Sequence, residues 1–138
     1  MKILYQAHGT ATGGRNGRAF TDDGKLDLRL AMPGDLGGPG GEGTNPEQLF
    51  ACGYAACFDS ALAHVARQQK LDPGETRVDA MVGIGPNDKG GFALAVRLSV
   101  TVPGLPRDQA QALIEQAHAV CPYSNAVRGN VDVVLELR

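Results

Sequence analysis

Apolar and polar residues change rhythm several times along the 138 residues, and each change marks an element. Lys2-Ile3-Leu4-Tyr5 runs into an alternation of Thr, Ala and His that predicts a strand over residues 2–12. The glycines and the Asn-Gly pair of Gly13-Gly14-Arg15-Asn16-Gly17-Arg18 predict a turn. Beyond Asp22-Asp23-Gly24, Leu26, Leu28 and Leu30 alternate with Asp27 and Arg29, as in a half-buried strand, and the two strands read as a hairpin. Residues 76–85 and 91–102 predict two further strands around a turn at Pro86-Asn87-Asp88-Lys89-Gly90. Val131, Val133 and Leu135 alternate in a final strand from Asn130 to Leu137.

Two segments carry a helical period instead. In Thr44-Asn45-Pro46-Glu47, Asn45 suits the N-cap, Pro46 the first helical position and Glu47 the first turn. This helix is expected to run to about Gln69, ahead of Pro73-Gly74. Its first half, Leu49 to Phe58, is apolar nearly all round, the pattern of a centrally buried helix. Pro106 opens a second helix from Arg107 to about Val120, with its stripe at Ala110, Leu113, Ile114 and Ala117, and Cys121-Pro122 ends it. The order ββ-α-ββ-α-β predicts an α+β domain, two helices packed on antiparallel sheet. Between strand and helix, Gly34 to Gly43 holds six glycines in ten residues and reads as a flexible surface loop without a regular element. It lacks the Lys-Ser/Thr ending of a phosphate loop.

Length and charge narrow the classes. A chain of 138 residues makes one domain, residues 1–138, with enough core to need no staples. Thirteen basic against fifteen acidic residues leave no basic field for nucleic acid. No run approaches 18 consecutive apolar residues and no signal peptide is evident, so a soluble cytoplasmic protein without a membrane span is expected.

Three cysteines, Cys52, Cys57 and Cys121, are an odd number for a secreted disulfide framework. They leave open a reactive thiol, a redox pair with a bystander, or three small buried hydrophobes. Cys52 and Cys57 lie five apart on one helix, roughly 140° around its axis, so they can share neither a disulfide nor a metal corner. His8, His64 and His118 lie at no ligand spacing with them and read as structural or surface histidines, with His118 placed to favour the C-terminal dipole of its helix. Gly53, Ser60 and Ala61 flank Cys57 on its helix face, which permits close approach by another element. A mid-helix Cys57 gains little from the dipole, so a thiolate there needs a cation, with Arg15, Arg18 and Arg128 as candidates. Cys121 sits at a helix C-terminus, where the dipole disfavours a thiolate, with Tyr123-Ser124-Asn125 expected to form a turn.

Four segments in order carry a resemblance: Ala11-Thr12-Gly13-Gly14-Arg15, Gly43-Thr44-Asn45-Pro46-Glu47-Gln48-Leu49-Phe50, Gly53-Tyr54-Ala55-Ala56-Cys57-Phe58 and Val120-Cys121-Pro122-Tyr123-Ser124-Asn125-Ala126. With Arg128-Gly129-Asn130-Val131-Asp132-Val133 they resemble the organic hydroperoxide resistance (Ohr) subgroup of the OsmC/Ohr family from about Ile3 to Leu137. The resemblance implies an OsmC-like fold, antiparallel or mixed sheets wrapped around two central helices, in an intertwined homodimer with active sites at the subunit interface. It implies a thiol peroxidase that converts organic hydroperoxides to alcohols, needs no bound cofactor or metal, and is recycled by a lipoyl-type dithiol, a lipoylated protein or dihydrolipoamide. By that resemblance Cys57 is the peroxidatic thiol and Cys121 the resolving one, while Arg15 holds the thiolate and Glu47 orients Arg15.

The residue types suit that chemistry. A thiolate can attack a peroxide oxygen to leave a sulfenic acid, and a second thiol can close it to a disulfide that an external dithiol reopens. Arginine lowers a thiol pKa without itself titrating, and its planar fork suits a carboxylate clamp. Leu36, Leu49, Phe50, Tyr54 and Phe58 make apolar surroundings that favour an alkyl or lipid-like peroxide over hydrogen peroxide. Glu47 and Cys57 stand ten residues apart on one helix, roughly 15 Å along its axis. The Arg15–Glu47 pair that meets a given Cys57 is therefore expected to include a residue of the partner subunit. Cys52 departs from the family pattern, which has a small residue there, and reads as a core substitution. The competing readings are a non-enzymatic dimeric module that binds an apolar ligand and a redox sensor, both with structural cysteines.

Overall fold

The computed structural model describes Met1–Arg138, which divide into two compact units, Met1–Leu49 and Phe50–Arg138, where the sequence reads as one domain. In the first unit, β1 (Gly9–Thr12), β2 (Arg18–Thr21) and β3 (Asp27–Arg29) form an antiparallel sheet in that order. The pairing sets Thr10 against Phe20 and Ala19 against Leu28. The expected hairpin thus has a middle strand, β2, and its first residue, Arg18, belongs to that strand and not to the expected turn. Arg18 holds its place there by a two-pronged bond to Asp27 at 2.6 and 2.7 Å, its guanidinium 4.7 Å from the centre of the Phe20 ring.

The strand expected over residues 2–12 forms only from Gly9 onward. A strand requires a partner for its backbone groups, and Met1–His8 find none in this chain beyond His8, whose carbonyl accepts from the Asp22 amide. Ile3, Leu4 and Tyr5 are left exposed at 60, 89 and 79 %. The glycine-rich segment also differs from expectation. Gly34–Leu36 make a 3-10 turn, and the carbonyls of Met32 and Pro33 accept the amides of Gly40 and Gly38 at 3.0 Å. Backbone hydrogen bonds that side chains would crowd out give the segment a defined path.

Helix α1 (Pro46–Gln68) begins in the first unit and continues through the second. Asn45 caps it as predicted, its Oδ1 accepting the Gln48 amide at 2.9 Å. In the second unit, β4 (Arg77–Pro86) and β5 (Phe92–Thr101) form an antiparallel hairpin, and β6 (Asp132–Leu137) joins the far edge of β5. That last pairing is parallel, which makes the sheet mixed. The reason is topological: α2 (Arg107–Val120) and α3 (Pro122–Val127) carry the chain back to the end of the sheet where β5 began, so β6 enters in the same direction. Cys121 is both the C-cap of α2 and the N-cap of α3, so Tyr123-Ser124-Asn125 lie in a short helix rather than a turn.

The core lies between this sheet and its helices. Tyr54, Phe58, Leu62 and Val65 of α1 meet Leu113, Ile114 and Ala117 of α2 and Val96, Leu98 and Val100 of β5. By length and composition α1 could cross a membrane, although its apolar residues are interrupted by polar ones. Its buried residues, however, belong to this core. They also fall in its middle and second half, whereas Cys52 and Ala56 are exposed and Phe50, Ala51 and Ala55 half-buried. The first half is apolar all round, but within this chain it is covered on one side only.

Candidate active site

Two constellations of reactive side chains exist, one in each unit. In the first, Arg15 sits in a single 3-10 turn, Gly14–Asn16, between Gly13 in the left-handed region (φ 73°) and Gly17. A Cβ on Gly17 would stand 1.8 Å from the Thr12 carbonyl oxygen, so only glycine lets the chain return this tightly. The turn aims the guanidinium at Glu47 in the first turn of α1. Nη1 and Nη2 donate to Oε2 and Oε1 at 2.8 and 2.6 Å, a fork-on-fork pair. The Glu47 side chain is 13 % exposed and that of Arg15 30 %. The guanidinium holds the Glu47 carboxyl below its ordinary range, against the opposing effect of burial.

The second constellation joins the thiols. Cys57, half-buried on α1, lies 3.7 Å from the sulfur of Cys121, which is wholly buried at the α2–α3 junction. Both are free thiols. Burial pushes the Cys57 thiol up, the backbone amide of Tyr123 donates to it and pulls it down, and the neighbouring Cys121 pushes it up again. The net effect is upward, so the surroundings within its own unit oppose the thiolate form. Of the three candidate cations, Arg18 is engaged with Asp27 and Arg128 with the His118 carbonyl and Asn125. Arg15 is also paired with a carboxylate, but its fork with Glu47 is the more shielded one, the side chains 30 and 13 % exposed against 56 and 54 % for Arg18 and Asp27.

Around the thiols the aromatic residues divide. Tyr54 and Phe58 are fully buried core residues, while Phe50 is half-buried and packs with Tyr54 and Tyr123, ring centres 5.8–6.0 Å apart. Gly53 makes room for the Tyr123 ring, whose hydroxyl would be 3.2 Å from any Cβ there. Leu36 lies half-buried in the first unit, in the 3-10 turn of the glycine-rich segment. Cys52 is exposed on α1 and not in the core.

A family model described as OsmC-like protein matches residues 38–136, most of the chain. The chain belongs to the OsmC-like family. Within it the chain is similar to proteins of the Ohr subgroup. An organic hydroperoxide resistance protein of Xanthomonas axonopodis pv. citri is 58 % identical over 137 residues, 99 % of this chain and 96 % of the relative. The organic hydroperoxide resistance protein OhrB of Bacillus subtilis is 48 % identical over 136 residues, 98 % of each chain. Among solved structures, an organic hydroperoxide resistance protein of Legionella pneumophila superposes with a TM-score of 0.95 at 52 % identity, covering 99 % of this chain and 98 % of that one. The α+β OsmC-like fold expected from the sequence is the fold observed.

Three residues of this OsmC-like protein's thiol site escaped the sequence reading. The Tyr123 amide touches Cys57, and Ser124 and His118 hydrogen-bond beside Cys121. His118 does stand in the last turn of α2, but burial and Arg128 push its imidazole down, against the charged form that would favour the helix dipole. Spacing was the available signal, since His118 and Ser124 each stand three residues from Cys121. The fork in the first unit predicts a pH effect. A depressed carboxyl contributes stability that is complete above its ordinary 4.5 and is lost as pH falls through the lower folded value. Urea midpoints measured from pH 7 to pH 3 should fall more steeply in the native protein than in a Glu47→Gln variant over that acid range.

Proposed function

We propose that this protein protects against organic hydroperoxides by reducing them to alcohols at Cys57. The observation that carries the reading is the pair of free thiols 3.7 Å apart, one half-buried and one fully buried. The relatives' names, organic hydroperoxide resistance protein, support the substrate class. In the first step the Cys57 thiolate attacks one peroxide oxygen, the O–O bond breaks, and the alkoxide takes a proton to leave as an alcohol. Cys57 becomes a sulfenic acid. Cys121 then attacks that sulfur: the S–S bond forms, the S–O bond breaks, and hydroxide leaves with the thiol proton as water. An external dithiol of the lipoyl type, dihydrolipoamide or a lipoylated protein, reopens the disulfide by exchange and is itself oxidised to a cyclic disulfide. No bound cofactor or metal takes part.

The thiolate needs a cation that its own unit does not supply, and Arg15 is the group suited to supply it. Glu47 and Cys57 are separated by roughly 15 Å of α1. We therefore assign the Arg15–Glu47 fork of one subunit to the Cys57 of its partner in a homodimer. Two features support a second copy: the exposed arm of Ile3, Leu4 and Tyr5, which has strand pattern without a partner strand, and the uncovered apolar side of α1 around Cys52 and Ala56. Phe50 and Leu36, both half-buried, line the way for an alkyl chain in this arrangement, with Tyr54 and Phe58 behind Phe50 in the core. Free thiols of this kind work in a reducing compartment, the cytoplasm, with no membrane or nucleic acid as partner.

Steady-state reduction of an alkyl hydroperoxide and of hydrogen peroxide, each with dihydrolipoamide, thioredoxin or glutathione, tests this. Faster turnover of the alkyl peroxide, sustained best by dihydrolipoamide, is expected. Equal efficiency on hydrogen peroxide would remove the apolar substrate class. Peroxide left unconsumed with every donor would favour a ligand-binding module with inert cysteines.

A further inference from the structure

Beside the two sulfurs runs a second connection between the same helices, made of three polar side chains. Tyr54 Oη lies 2.9 Å from Ser124 Oγ, and Ser124 Oγ lies 2.8 Å from His118 Nδ1. Tyr54 and Ser124 are fully buried, as is Cys121. Each member stands three residues from a thiol: Tyr54 before Cys57 on α1, His118 before Cys121 on α2, and Ser124 after Cys121 on α3. On a helix that spacing puts two residues on one face. The hydrogen-bonded chain is therefore a rung parallel to the Cys57–Cys121 contact.

The bonding capacity of the three groups allows one arrangement in which both hydroxyl protons are used. With a neutral His118, Nδ1 accepts from the Ser124 hydroxyl, and the Ser124 oxygen is free to accept from Tyr54. Burial keeps both ends in the required form, since it pushes the Tyr54 phenol up and the His118 imidazole down. The rung is braced from outside as well. Arg128 donates to the His118 carbonyl at 2.7 Å, its own amide bonds the Ser124 carbonyl at 3.0 Å, and the Asn125 amide bonds the Cys121 carbonyl at 2.9 Å.

We propose that Ser124, clamped between Tyr54 and His118, is a positioning residue for the resolving thiol. It holds Cys121 at the separation from which a disulfide closes, and so decides whether oxidised Cys57 is resolved or over-oxidised. The sulfurs stand 3.7 Å apart, and a disulfide requires roughly 2.05 Å. Closure is then a movement of under 2 Å along a path that the rung confines. Without the serine hydroxyl, the buried Tyr54 and the half-buried His118 lose their common partner and the α2–α3 junction relaxes to satisfy them elsewhere. The sulfenic acid would then wait longer for Cys121 and meet a second peroxide, which carries it to the sulfinic acid.

The inference rests on the peroxidase reading for its consequence, but the positioning itself can be read without peroxide. Ser124→Ala should form the Cys57 sulfenic acid at the native rate and close the disulfide about tenfold more slowly, the rate equivalent of about one of the two hydrogen bonds it removes. Mass spectrometry should show sulfinic acid accumulating on Cys57 at peroxide levels that leave the native protein as disulfide. In a parallel arm, closure driven by diamide should slow by the same factor. A native protein inert to alkyl hydroperoxide, with Ser124→Ala still slow in diamide, would defeat the peroxidase reading and keep the positioning role. Native closure rates for Ser124→Ala in both arms would overturn the role, as would equal slowing of sulfenic acid formation and closure. Should Ser124→Ala fail to fold, the His118 pair decides: His118→Leu should close slowly, and His118→Asn, which retains a polar group where Nδ1 stands, should recover most of the rate. Equal rates in that pair would also overturn the role.

Discussion

Replacing Cys57 by serine is expected to abolish hydroperoxide reduction, lowering kcat/KM by at least roughly 10³-fold. A serine hydroxyl does not ionise near neutral pH and has no counterpart to the sulfenic acid, so neither half of the cycle survives. Oxygen fits where sulfur stood, and the fold should persist with a thermal midpoint close to that of the native chain. Cys121→Ser fails differently. Its first turnover should proceed at close to the native rate, because Cys57, the Tyr123 amide and the Arg15–Glu47 fork are all retained, and turnover should then stall with Cys57 as sulfenic or sulfinic acid. Stopped-flow peroxide consumption with mass analysis of the product separates the two. A Cys57→Ser protein that still consumed peroxide at the native rate would end the peroxidase reading, and a Cys121→Ser protein with undiminished turnover would remove Cys121 from the cycle.

The second large effect belongs to Arg15. Arg15→Ala should lower kcat/KM on an alkyl hydroperoxide by about 10²–10³-fold, the usual loss for one preorganised charge donor at a reacting centre. It should also move the pH midpoint of Cys57 alkylation upward, because the burial that raises the thiol is then opposed only by the Tyr123 amide. Lysine is a poor replacement, since a point charge cannot reproduce the two parallel bonds of 2.6 and 2.8 Å to Glu47.

Mixed dimers of two inactive variants decide which subunit supplies the cation. With the fork acting across the interface, a dimer of one Cys57→Ser chain and one Arg15→Ala chain has one complete site and one doubly damaged site. Random pairing of the two in equal amounts should restore about a quarter of the native activity under two-fold symmetry. A fork acting within its own chain would leave every mixed dimer inactive, and the restored activity would be nil.

How much of this could be read from residues alone depended on the range of the physics involved. Local rules were sufficient for Asn45 as the cap of α1, for the break at Cys121-Pro122, and for α2 with its apolar stripe. Each depends on neighbours within four residues. The choice of Cys57 and Cys121 over Cys52 came from motif order, and the structure places those two sulfurs together while Cys52 is exposed. Elements that depend on distant partners were misread. Strand β2 was missed because so short a strand exists only through pairing on both sides, and the pattern of residues 2–8 remained a strand without a neighbour. The β5–β6 pairing is parallel because of the path the chain takes through α2 and α3, which no window of sequence contains.

The sequence by itself determined helices α1 and α2, the fold class, and which side chains can do thiol and guanidinium chemistry. These follow from backbone propensity, periodicity and functional-group type, all of which act along the chain. Only the tertiary structure decided the 3.7 Å between the sulfurs, the fork that joins Arg15 to Glu47 across 32 residues, and the place of Ser124 between Tyr54 and His118. Those are distances between side chains remote in sequence, fixed when the core closes and every buried donor must find an acceptor.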